Sequence, residues 1–263
     1  NITYNYWRNE HKVCLRVSLI LLMSHNYTIA RSAYVFLCKK NVSVLFISTL
    51  LTSAPAFADI IISGTRIIYF ADKKDVNVRL ENKGNRPLLI QNWLDTGDDN
   101  ADPSQIKVPF TSTPPVSRIE PKRGQTVKVM FTGTTQLSAD RESVFWFNVL
   151  EVPPKPKDAE SDKNLLQLAF RTRIKLFYRP SGLQGEPAEA PAKLTWKLNN
   201  SQLQVQNPTP YYVSFNDVTL ESGTRSYKVD SSMVAPLAQA SFDVTGLPGS
   251  VSAGKVIYKA IND

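Results

Sequence analysis

The chain has 263 residues, 42% hydrophobic and 21% charged, which fits one large folded domain or two of ordinary size and excludes wholesale disorder. Its only Cys and His residues, Cys14, Cys38, His11 and His25, lie in the first 38 positions; without that stretch, Cys nucleophiles, disulfides, Cys/His zinc sites and His acid–base catalysis are all excluded. The formal charge of +8 falls to +3 without residues 1–58, whose six basic and one acidic residues leave 25 basic against 22 acidic, so a nucleic-acid role loses most of its electrostatic support.

Lys39 to Ala58 is predicted to be a secretory signal peptide. Lys39 and Lys40 start it, Val42 to Leu51 form its apolar run, and Ala56-Phe57-Ala58 fits a small-x-small cleavage pattern. That run falls short of the ~18 apolar residues that span a bilayer. Position 1 is Asn, and Met23 offers a later start. The run Val13 to Met23 is interrupted by Arg16 and is also too short to span. Residues 1–58 are therefore expected to be removed as a leader, with no membrane insertion after cleavage.

Beyond Asp59 the signal is alternation, not a helical period. Val76, Val78 and Leu80 alternate with Asn77, Arg79 and Glu81, and Asn82-Lys83-Gly84-Asn85 turns the chain. Lys122-Arg123-Gly124 precedes a second alternating run over Thr126–Phe131. A third covers Val144–Glu151 and is stopped by Pro153-Pro154. Pro180 to Pro191, rich in Pro and Gly, reads as a linker dividing about 120 residues (59–180) from about 75 (within 181–263), each adequate for a β-sandwich. Leu194–Leu198, Leu203–Val205, Tyr211–Leu220 and Lys255–Ile261 are predicted strands of the second part. The fold class expected is all-β.

Leu166 to Arg179 stands apart. One parity reads Leu166, Leu168, Phe170, Thr172, Ile174, Leu176, Tyr178; the other carries Arg171, Arg173, Lys175 and Arg179. Extended, the segment would reach roughly 45 Å, against ~17–20 Å for a typical strand. It is a long bent strand wholly buried, two strands with a hidden bend, or an apolar edge left open to a partner strand. Sheet edges are normally defended, and an undefended one invites β-augmentation.

Four blocks carry a resemblance: Gly64-Thr65-Arg66-Ile67-Ile68-Tyr69, Asp140 to Val149, Arg173 to Pro180, and Asn207-Pro208-Thr209-Pro210-Tyr211-Tyr212. In this order and spacing the chain from Asp59 to Asp263 resembles the PapD-like periplasmic chaperones of the chaperone–usher pathway. The resemblance implies two immunoglobulin-like β-sandwich domains in a boomerang arrangement, a periplasmic location, and a cycle without cofactor, metal or ATP. It implies pilus or fimbrial subunits as partners, completed by a donated chaperone strand and passed to an outer-membrane usher. Arg66 and Lys175 would anchor the subunit's terminal carboxylate, which calls for charge-assisted donors. Leu166, Leu168 and Phe170 would fill the subunit groove. Glu142, Arg179 and Asp263 would form a salt-bridge network between the domains.

The chain departs from the family at Ser138, where Pro is common. The family also continues past Ile261-Asn262-Asp263, so the last strand of the second domain is expected to be missing here. The short hydrophilic stretch between Pro154 and Leu165 places the chain in the short-loop branch, associated with rod-like pili. A free chaperone is also expected to cap its open edge with a second copy. Two other readings are a secreted, pilin-like structural or adhesive sandwich and a carboxylate-pair hydrolase. The two-domain layout argues against the first. No two acids are placed for the second, so no enzyme activity is expected.

Overall fold

The alternating runs become strands in a computed structural model, which describes residues 59–152 and 168–262. The leader, Leu166 and Asp263 fall outside the described residues. No helix among the described residues is long and apolar enough to cross a membrane.

Residues 60–179 carry β1 (Ile60–Ile62), β2 (Arg66–Phe70), β3 (Val76–Asn82), β4 (Leu88–Asp95), β5 (Phe110–Thr113), β6 (Val116–Ile119), β7 (Gly124–Phe131), β8 (Ser143–Val152) and β9 (Phe170–Arg179). One sheet has the order β1-β3-β7-β5 and the facing sheet β2-β9-β8-β4-β6. Alternation does the sorting: Val78, Leu80, Val127 and Val129 point inward from one sheet, and Ile90, Phe147, Val149 and Leu176 from the other. Every pairing is antiparallel except β2 with β9, which is parallel.

The second sandwich pairs β10 (Thr195–Asn199), β11 (Gln202–Asn207) and β15 (Ala238–Asp243) in one sheet. In the other, β12 (Val213–Ser222) is flanked by β13 (Arg225–Lys228) and β14 (Met233–Val234) on one side and by β16 (Lys255–Ile261) on the other. Leu203, Val205, Val218, Leu220 and Val234 fill its separate core. The predicted linker does not stay outside this core. Its second half enters a 3-10 turn, Pro187–Lys193, whose Ala190 is fully buried. The predicted strand from Tyr211 begins only at Val213, because the Tyr212 N–H is used at the junction between the sandwiches.

β9 has ten residues, about 33 Å at strand rise. Its pairing with β8 covers all but its last residue, from Glu151↔Phe170 to Ser143↔Tyr178. Its pairing with β2 covers only Lys175 to Arg179. Among the described residues, the edge from Phe170 to Ile174 is open on that side, so the strand is internal over one half and an edge over the other.

Candidate functional site

Each face of β9 changes character along the strand. On the inward parity, Leu176 is completely buried and Ile174 packs against the core, whereas Phe170 and Leu168 are 55% and 54% exposed. The strand outruns the sandwich that covers its inner face, so a wholly buried strand does not describe these two residues. Leu168 and Phe170 are brought together beside the open edge; Leu166, predicted with them, lies outside the described residues.

The outward parity carries a different environment at nearly every step. Lys175 lies opposite Trp146 of β8 on one side and Arg66 of β2 on the other. The parallel register thus brings together the two cations predicted as a pair, although 109 positions separate them in sequence. Arg66 also lies over the Phe177 ring at 5.4 Å. Burial pushes the Lys175 ammonium below its ordinary range, and the neighbouring Arg66 charge pushes it the same way. Two like charges thus stand side by side on the outward face, an arrangement suited to a carboxylate.

Next along this face, Phe177 is 1% exposed because the ring of Tyr212 from the second sandwich stands 5.4 Å away. Arg179 follows. Its Nε donates to Glu142 Oε1 at 2.6 Å, and its guanidinium lies 5.4–5.5 Å from the rings of Phe70 and Tyr211. Glu142 is buried, and its other oxygen accepts the Tyr212 N–H at 2.8 Å, while its own N–H donates to the Pro210 carbonyl at 2.9 Å. Burial first, and the Glu142 charge second, raise the Tyr212 phenol above its usual range. Two members of the predicted interdomain set therefore meet at the junction; the third, Asp263, lies outside the described residues. The preceding pair, Asp140 with Arg141, is a solvent-exposed ion pair at 2.8 Å. A cleft of about 260 Å³ opens beside this junction, lined in part by Arg66, Arg179, Tyr212 and Ile261.

At the other end of the outward face is a cluster the sequence reasoning missed. Asp95, 1% exposed at the end of β4, accepts from Arg173, from Arg171 at 3.4 Å and from Asn148 Nδ2 at 2.7 Å. Arg171 also donates to Asn148 Oδ1 and to the Asp99 carbonyl, and lies 5.0 Å from the Trp93 ring; Arg173 lies 5.4 Å from that of Trp146. Two arginines two positions apart on one face were a signal that a carboxylate should lie across the sheet. No group of three or more His, Cys, Asp or Glu among the described residues could hold a metal ion.

With this geometry in place, comparison with known proteins is direct. Residues 59–184 match the family model described as pili and flagellar-assembly chaperone, PapD N-terminal domain. Residues 189–263 match that of pili assembly chaperone PapD, C-terminal domain. The chain is 58% identical over 234 residues to "Probable fimbrial chaperone YadV" of Escherichia coli (strain K12), covering 87% of this chain and 95% of that protein. The crystal structure of the YadV chaperone superposes with a TM-score of 0.69, over 78% of this chain and 94% of that one. A chain from the solved complex of Salmonella enterica SafA pilin with the SafB chaperone superposes with a TM-score of 0.66 at 26% identity, over 79% of this chain and 92% of its own length.

Proposed function

The chain belongs to the PapD-like family of pilus-assembly chaperones, and from that premise we propose that it captures pilus subunits in the periplasm, lends them β9 as a missing strand, and delivers them to an outer-membrane usher. The observation that carries this reading is the half-open β9, with Leu168 and Phe170 exposed beside an edge that no strand among the described residues pairs, and the Arg66–Lys175 pair where that edge ends. Backbone groups of Phe170–Ile174 would hydrogen-bond the subunit's strand, and the two apolar side chains would enter its groove. Each could contribute ~1.5–3 kcal/mol of gross transfer free energy, less the cost of ordering on association. The subunit's terminal carboxylate would sit on Arg66 and Lys175 through charge-assisted hydrogen bonds, fixing the register of the added strand. The act is stoichiometric binding, without turnover, metal or ATP. The predicted signal peptide at Lys39–Ala58 would direct export to the periplasm.

Periplasmic co-expression with the pilus subunits encoded beside it tests this. The wild-type chain is expected to yield a one-to-one complex, and Arg66→Ala and Lys175→Ala each to lose it to subunit degradation. A complex untouched by either substitution would remove the carboxylate anchor. No subunit bound by wild type would remove the chaperone reading itself.

A further inference from the structure

The Asp95 cluster holds two side chains of β9 to which the proposed function assigns no role. A carboxylate that is 1% exposed carries a desolvation cost of several kcal/mol, tolerated only where charged or polar donors surround it. Here those donors come from three places: Arg171 and Arg173 of β9, Asn148 of β8, and the Gly97 N–H at 2.7 Å just beyond β4. The Gly97 turn is itself fitted to the cluster. Its φ is +120°, and a Cβ there would stand 3.1 Å from the Trp146 ring that underlies Arg173. Both arginines belong to the half of β9 that β2 leaves uncovered.

We infer that Asp95 is a positioning residue which pins the open half of β9 through Arg171 and Arg173, so that Leu168 and Phe170 are presented at a fixed register before a subunit arrives. Successive side chains in a strand point to opposite faces. Holding Arg171 and Arg173 to the outer face therefore holds Phe170, Thr172 and Ile174 to the inner one, and a slip of one residue would exchange them. The clamp holds the open half of the strand extended, and it settles the ordering of that half before association. The inference rests on the strand-donation reading for its purpose, but the clamp acts in the subunit-free chain.

The test joins two measurements on the mature chain. In amide hydrogen exchange without subunit, Asp95→Asn is expected to speed exchange at Phe170–Ile174 and leave β12 unchanged. With a subunit from the same locus, association is expected to slow about tenfold. In an Arg171→Gln/Arg173→Gln background the same Asp95 substitution should add little, because it acts through those side chains. Unchanged exchange at 170–174, or losses that simply add, would overturn the proposal. Should Asp95→Asn fail to fold, Arg173→Gln alone carries the same expectation, since its side chain is 21% exposed and its loss leaves the core intact. The exchange comparison needs no subunit. A wild-type chain that bound none would therefore overturn the chaperone reading while the clamp was still judged by exchange.

Discussion

Glu151 closes the inward row of β8, buried at the end of the first core, with Oε1 lacking a hydrogen-bond partner. Burial raises its carboxyl above the ordinary 4.5, against the lowering effect of a backbone hydrogen bond from Ile60; Asp59 adds to the rise and Arg86 opposes it. The folded chain thus holds this proton more tightly than the unfolded chain does. The associated stability is fully present below the ordinary carboxyl range and is lost as pH rises through the raised value. Glutamine keeps an acceptor for Ile60 without the charge. Glu151→Gln is therefore expected to raise Tm at pH 7 and change it little at pH 4, and paired thermal melts at the two values check it. An equal gain at both would show that the effect was packing. Buried carboxylates of this kind are hidden in a sequence: Glu151 follows Val149 in an ordinary alternating run, and only the facing sheet decides that its position is interior. Asp95 was hidden for a similar reason, since its arginines lie 76 and 78 positions away.

As an element, β9 separates stability from binding along its own length. Phe170 is 55% exposed, so Phe170→Ala should shift stability by no more than about 0.5 kcal/mol. The same change should weaken subunit binding roughly tenfold or more. Leu176→Ala, fully buried, should instead destabilise the free chain by about 2–5 kcal/mol. Denaturant titration and subunit affinity, measured on both variants, check this division; equal effects on stability would contradict it. Much of this element was legible in the sequence. Its two parities, its excess length and the contrast of its faces follow from composition and strand rise. The cover supplied by β2 was not legible, because a parallel pairing between residues so distant leaves no local mark. β4 was missed because Leu88-Leu89-Ile90 is a continuous apolar run rather than an alternation. β16, with its clean period of two, was placed at its observed bounds.

At the scale of the whole molecule, the two cores meet, among the described residues, through hydrogen bonds and ring contacts, and Glu142 bonds both sides. Breaking a buried ion pair by removing one partner costs up to about 3–5 kcal/mol. Here the Tyr212 N–H would also lose its acceptor. Glu142→Ala is expected to lower stability by about 3 kcal/mol and to split a shared calorimetric transition into two, one for each sandwich. A single, merely shifted transition would show that other contacts couple the halves.

The point where β2 begins has a consequence for what the open edge can accept. Any strand added beside Phe170–Ile174 shares its line with β2 and must end where Arg66 starts. Lys175 lies five residues from Phe170 and seven from Leu168, about 16 and 23 Å at strand rise. The slot is a gauge closed at one end, reading its occupant inward from the tip. A subunit one residue too long would arrive with each side chain turned to the wrong face. Selection among partners would then be a matter of length as much as of shape, set by where a neighbouring strand happens to begin.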